Sequence, residues 1–159
     1  MTIHVGAHAH FSPGTMQDKP WGHEHIYAEG EHGYVGKLLV VRVGEQLSLQ
    51  YHVEKDETML VVSGEAVIEH GESVERLVSH RLRTGDVVHL PAGVLHRLTA
   101  VSDVVLAESS SAAPGWRDDV VRLQDRYGRE ATSRPDQRRR HQESSRVPCP
   151  RRSGRTKEP

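Results

Sequence analysis

One cysteine, Cys149, occurs in the 159 residues, and a lone thiol excludes an intramolecular disulfide framework. It lies in a stretch rich in Pro and Arg with no neighbouring base, so it reads as an incidental exposed thiol. Aromatic residues make up 4% of the chain and apolar residues 35%, a balance that suits a compact β domain flanked by polar tails. No run approaches the roughly 18 apolar residues that span a bilayer. The opening MTIHVGAHAHFSPG lacks the basic-then-apolar pattern of a secretory signal. These absences lead to the expectation of a cytoplasmic protein with no membrane partner. The length also excludes two separate cores and fits one domain.

The polar stretches lie at the ends. Residues 1–18 are Gly, His, Ser and Pro in a polar setting without periodicity and are expected to form a flexible arm. His4, His8 and His10 are closely spaced there, but no Cys or carboxylate accompanies them, so they read as incidental rather than chelating. Trp21 opens the ordered domain, either as a core residue or as a face on which a sugar ring stacks. Residues 130–159 carry nine basic and four acidic side chains, a net of plus five; the whole chain is at minus one, so residues 1–129 carry minus six. A basic tail can meet nucleic acid or an acidic surface. Its interleaved Pro, Ser and Gly and its lack of aromatics favour disorder and no nucleic-acid partner.

Between the tails, short runs rich in β-branched residues alternate with turn residues at near-regular intervals. Strands are expected at 34–43, 47–51, 58–63, 66–70, 77–83, 87–90, 96–99 and 104–108, the second pair of apolar runs (58–63 and 66–70) forming a hairpin about Gly64-Glu65. Helical periodicity is confined to one short turn at 116–123. The pattern is all-β, a barrel or jelly roll.

Two segments organise this domain. In residues 44–64, GEQLSLQYHVEKDETMLVVSG, Gln50 and His52 lie two apart and share one face of a strand. Glu57 follows a short charged loop, 53–56, from which it can turn back toward the same cavity. In residues 85–96, GDVVHLPAGVLH, His96 follows a Pro-x-Gly turn. Gln50, His52, Glu57 and His96, on neighbouring strand ends, form a mononuclear metal site.

These segments resemble the paired signature motifs of the cupin family, with Gln50-Tyr51-His52 in place of the usual His-x-His and Ala100 in place of a terminal Asn. A Gln-x-His pair before the Glu is similar to phosphomannose isomerases. The phrase Ser48-Leu49-Gln50-x-His52 resembles the isomerase domain of the two-domain mannose-1-phosphate guanylyltransferase/mannose-6-phosphate isomerases. The likeness extends to Lys19-Pro20-Trp21-Gly22, Pro91-Ala92-Gly93-x-x-His96-Arg97-Leu98 and Asp118-Asp119-Val120-Val121-Arg122, and covers about residues 19–129. It implies a cupin double-stranded β-helix barrel with one zinc ion on Gln50, His52, Glu57 and His96. It also implies sugar-phosphate isomerisation through a metal-stabilised enediolate, with a base moving a proton between C1 and C2.

An amide oxygen, two imidazoles and one carboxylate leave a bound ion electropositive and able to act as a Lewis acid. The same mixed set accepts Zn²⁺, iron, manganese, nickel or cobalt. Lys37, Glu54, Lys55 and Arg97 are candidates for the base or for phosphate contacts. Lys37 shares strand parity with Leu39 and Val41, whereas Arg97 points opposite to His96, and the loop carrying Glu54 and Lys55 equally suits a solvated turn. Where the larger family reads Lys-Arg this chain reads Lys37-Leu38, so an arginine that could serve phosphate is missing and any isomerase activity is expected to be weak or redirected. Other readings follow: a cupin metalloenzyme of another reaction type, such as an oxygenase, or a non-catalytic sugar- or metabolite-binding cupin. The expected partner is a small-molecule sugar or sugar phosphate, with a homodimer left open.

Overall fold

In a computed structural model of the chain, residues 8–112 and 114–129 are described. They form eleven strands and a single 3-10 turn (Val74–Arg76). The strands are β1 (Thr15–Lys19), β2 (Gly22–Glu29), β3 (Tyr34–Val41), β4 (Leu49–His52), β5 (Glu57–Ser63), β6 (Glu65–Gly71), β7 (Leu77–Arg83), β8 (Val87–Leu90), β9 (Leu95–Ala100), β10 (Val104–Ser111) and β11 (Val120–Gln124). Among the described residues no helix is long and apolar enough to cross a membrane.

The strands build two antiparallel sheets, one in the order β1-β2-β3-β10-β5-β8 and one in the order β11-β4-β9-β6-β7. From β4 onward, apart from the β6–β7 pair within one sheet, the chain passes back and forth between them, which is the winding of a double-stranded β-helix. Strand alternation supplies the core: Leu39, Val41, Val61 and Leu106 point inward from the first sheet, and Ala66, Ile68, Leu98 and Ala100 from the second. Burying each large aliphatic side chain contributes about 1.5–3 kcal/mol before ordering costs. Trp21 is 3% exposed and belongs to this core. Toward the start of β3 and the end of β10 the inward positions change character: Lys37 precedes Leu39 and Val41, and Glu108 follows Val104 and Leu106. That change turns the interior from a packed core into a polar cavity.

Three expectations are corrected, and one strand is added. The arm expected over residues 1–18 ends sooner, because β1 begins at Thr15 and pairs with β2 from Thr15↔Ile26 to Lys19↔Gly22. The strand β2 was hidden in the sequence since its inward residues include Glu24, which faces the cavity rather than oil. The runs around Gly64 are not a hairpin: β5 pairs with β10 and β8, while β6 pairs with β7 and β9. Gly64 instead carries the chain from one sheet to the other at φ 87°, and a Cβ there would meet the Asp103 carbonyl oxygen at 2.2 Å. Finally, the helical turn expected at 116–123 is a turn followed by β11, which pairs with β4. The expected basic tail 130–159, with Cys149, and His4 lie outside the described residues. His8 and His10 are exposed.

Candidate metal centre

Both sheets contribute to the centre. Gln50 and His52 project from β4 and His96 from β9 in the five-stranded sheet; Glu57 opens β5 in the six-stranded sheet. Gln50 and His96 are direct cross-strand partners. The turn before β9 is fastened to the end of β4 by the Gly93 amide, which donates to the His52 carbonyl at 2.7 Å. His52, Glu57 and His96 are 5%, 2% and 4% exposed.

Their orientation is fixed from behind. The Nδ1 of His52 lies 3.1 Å from the Asp119 carbonyl oxygen, and the Nδ1 of His96 lies 2.9 Å from that of Val94. A carbonyl only accepts, so in the neutral rings Nδ1 carries the hydrogen and Nε2 turns its lone pair inward. There the His52 Nε2 stands 3.2 Å from Glu57 Oε1, and the His96 Nε2 stands 3.5 Å from Glu57 Oε2. His52 Nε2, His96 Nε2 and Glu57 Oε2 are buried without a hydrogen-bond partner. Three converging lone-pair groups inside a protein suit a cation, and one donor atom from each residue falls within 4.8 Å of the others. The residues present therefore fit a divalent metal, and the backbone carbonyls behind the imidazoles are the outer-shell partners such sites use. Gln50 lines the same cavity, with its Oε1 accepting from the Ser48 hydroxyl at 2.6 Å.

Next to the centre lies a buried chain of charges. The loop 53–56 is pinned by Asp119, whose Oδ2 accepts from the Glu54 and Lys55 amides at 3.1 and 2.8 Å. This turns Lys55 inward, where it is 3% exposed and its Nζ sits 2.5 Å from Glu57 Oε1 and 3.5 Å from Glu108 Oε1. Glu108 also meets Lys37 Nζ at 3.3 Å. Burial opposes ionisation of Glu57, but contact with His52 and the Lys55 ammonium outweigh it and hold the carboxyl well below the ordinary carboxylate range. Burial likewise works against the Lys55 ammonium, and the charges of Glu108 and Glu57 overcome it and raise its pKa. For His96 burial prevails and lowers the pKa, favouring the neutral ring a metal requires.

Among the proposed proton or phosphate groups, Lys37 and Lys55 line the cavity and Glu54 and Arg97 do not. Glu54 is exposed on its loop. Arg97 faces the outer side of β9, where its Nε donates to Glu69 Oε2 at 2.7 Å and its Nη1 to Gln124 Oε1 at 3.3 Å. Leu38 also points away from the cavity, since its neighbours Lys37 and Leu39 are the lining residues. An arginine at position 38 would stand outside the barrel, so its absence removes no charge from the lining of the cavity.

Sequence reasoning did not single out Glu108, although its parity with Val104 and Leu106 marks a charge aimed into the core. It also gave no role to Arg122, Arg129 or Glu24. The cavity is lined by six basic side chains, Lys19, Lys37, Lys55, Arg117, Arg122 and Arg129. Against them stand three acidic ones, Glu24, Glu57 and Glu108. Trp116 joins this wall, with Lys37 Nζ 5.5 Å and Arg117 Cζ 4.4 Å from its ring centroid.

A double-stranded β-helix with inward-facing His, Glu and His on adjoining strand ends defines the cupin class. Within it, the chain belongs to the family described as mannose-6-phosphate isomerase C-terminal, which residues 8–125 match. The xanthan biosynthesis protein XanB of Xanthomonas campestris pv. campestris is 35% identical over 113 residues, 70% of this chain and 23% of that protein. A mannose-1-phosphate guanylyltransferase of Salmonella montevideo is 34% identical over 113 residues, with the same shares. The chain thus spans about a quarter of the length of these relatives. Among solved structures, Bacillus subtilis oxalate decarboxylase, a protein with Mn(II) centres, superposes with a TM-score of 0.63 at 15% identity. That match covers 75% of this chain and 33% of the decarboxylase, a likeness of fold.

Proposed function

We propose that the chain is a metal-dependent isomerase domain acting on a sugar phosphate, mannose 6-phosphate in the first instance, with zinc as the ion and the cytoplasm as its compartment. The observation that carries this reading is the charge of the cavity. Its lining is net plus three although residues 1–129 sum to minus six, and that excess of positive charge stands beside three orphaned metal donors. An anionic ligand with oxygens for a metal satisfies both features. Membership of the isomerase family and the sugar-phosphate substrate named for the Salmonella relative support the same ligand class.

His52, Glu57 and His96, with Gln50 beside them, would hold the ion. When bound it supplies Lewis acidity to neighbouring hydroxyl and carbonyl oxygens of the sugar. Aldose–ketose isomerisation moves a proton between two adjacent carbons, and the chain offers a buried proton system for it. Glu108, between two ammonium groups, serves as the carboxylate that accepts and returns the carbon-bound proton. Lys55, held protonated by its two carboxylates, donates to a substrate oxygen, and Lys37 keeps Glu108 oriented. Trp21 and Leu47 close the apolar side of the cavity against water.

Elemental analysis of the purified chain followed by a coupled assay of mannose 6-phosphate conversion to fructose 6-phosphate tests the reading. About one divalent ion per chain, with turnover lost on chelation and regained with zinc, is the expected result. A metal-loaded protein that neither binds nor converts any sugar phosphate overturns it.

A further inference from the structure

We infer that Arg122 and Arg129 form the phosphate-holding arm of the cavity, a role that rests on the sugar-phosphate reading above and names the residues that read its anionic end. The placement follows from register. On the inner face of the five-stranded sheet, Gln50 has His96 as its cross-strand partner on one side and Arg122 on the other. Arg122 therefore stands one strand, about 5 Å, beyond the Gln50 position. A linear sugar with its first two oxygens at the metal donors would reach Arg122 by extending its far end in this direction.

The surroundings of Arg122 suit an oxyanion. It lines the cavity close enough to Arg129 for the two guanidinium groups to repel, with Asp125 and Glu24 as the nearby countercharges. Asp125 accepts from Arg129, whose Nε and Nη2 donate to its two carboxylate oxygens at 2.8 and 2.7 Å. Glu24 is shared with Lys19, whose Nζ lies 3.2 Å away. Lys19, Arg122 and Arg129 thus bring three cationic side chains to one end of the cavity wall. An anion entering the cavity is attracted by these neighbouring cations, and planar guanidinium forks match phosphate oxygens two at a time. Asp125 serves as a positioning residue, holding the Arg129 fork against the wall.

The test uses the zinc-loaded full chain with three probes: inorganic phosphate, mannose 6-phosphate and mannose. Calorimetry is expected to show phosphate binding and a preference for mannose 6-phosphate over mannose. Arg122→Met should weaken both phosphate-bearing probes by roughly ten- to a hundred-fold and leave zinc content at one ion per chain. Arg122→Lys keeps the charge and the stem, and should fall between the two; it carries the test if the Met variant fails to fold. Wild-type-like phosphate binding in both variants, or no phosphate binding by the unmodified chain, overturns the arm. If phosphate binding depends on Arg122 but no sugar phosphate is preferred or converted, the arm stands and the isomerase reading falls. Mannose 6-phosphate turnover that survives Arg122→Met with unchanged KM does the reverse.

Discussion

Replacing Glu108 by Gln would remove the one carboxylate shared by Lys37 and Lys55 while nearly preserving its shape. The side chains of Lys37, Lys55 and Glu108 are 9%, 4% and 4% exposed, so solvent cannot take over the lost charge. Deleting one partner of a buried ion pair costs about 3–5 kcal/mol because the survivor is left charged and unpaired. Lys55 retains Glu57 at 2.5 Å, whereas Lys37 loses its carboxylate at 3.3 Å. The loss is therefore expected near the lower end, about 3 kcal/mol. For a domain of this size that corresponds to a fall in Tm of roughly 10–15 °C. Urea unfolding of the metal-free protein at pH 7, followed by circular dichroism, measures it without a contribution from metal occupancy. Adding Lys37→Met to Glu108→Gln removes the stranded charge and should recover much of the loss. A single variant within about 1 kcal/mol of wild type, or a double variant no more stable than the single, would refute the reasoning.

The other outcomes are simpler to state. His52→Ala or His96→Ala each removes one donor of the centre, and zinc content per chain should fall steeply in both; undiminished stoichiometry would count against the site. Leu38→Arg places its fork outside the barrel and should leave mannose 6-phosphate affinity unchanged, and a clear gain would contradict the outward placement of that position. Metal-free stability should decline on acidification. Glu57 is depressed below its ordinary 4.5 and His96 below its ordinary 6.5, so each contributes stability that is present above those values and lost as pH falls through the lower folded ones. Lys55, raised above its ordinary 10.5, contributes fully below that value and loses its contribution only as pH rises past it. Unfolding free energies that stay flat from pH 7 to pH 4 would oppose this assignment. A chain ending at Arg129 should melt close to the full chain, because the composition of 130–159 offers no core; a loss of many degrees would show that the tail docks.

What could be read in the sequence depended on whether inward residues were apolar. The strands β7 and β8 appear at the bounds expected for them, 77–83 and 87–90, and the two motif segments carry His52, Glu57 and His96, whose ligand atoms the fold brings within 4.8 Å of one another. Failures cluster where the interior is polar. The strand β2 turns Glu24 into the cavity, so its alternation resembles a loop. Glu108 sits in an inward position of β10 that hydrophobic periodicity treats as the strand's end. Arg122 needed the register of β11 against β4, a long-range pairing that no local pattern encodes. Leu38 was misjudged in the opposite way, since comparison of motif letters ignored the alternation that sends it outward.

The centre also bears on how the barrel stays closed. Its candidate donors come from opposite walls, His52 and His96, with Gln50 beside them, on one sheet and Glu57 on the other, and β4 meets β9 through a single registered pair. An ion gripped by all of them would act as a removable cross-link between the sheets in a chain whose lone cysteine can form no internal one. The rigidity of this end would then follow the supply of free metal, with stabilisation growing as the logarithm of its concentration over the dissociation constant. Scarcity of metal would loosen β4 and the start of β5 before the apolar end of the barrel, where Leu39, Ile68 and Leu106 hold the sheets together without it.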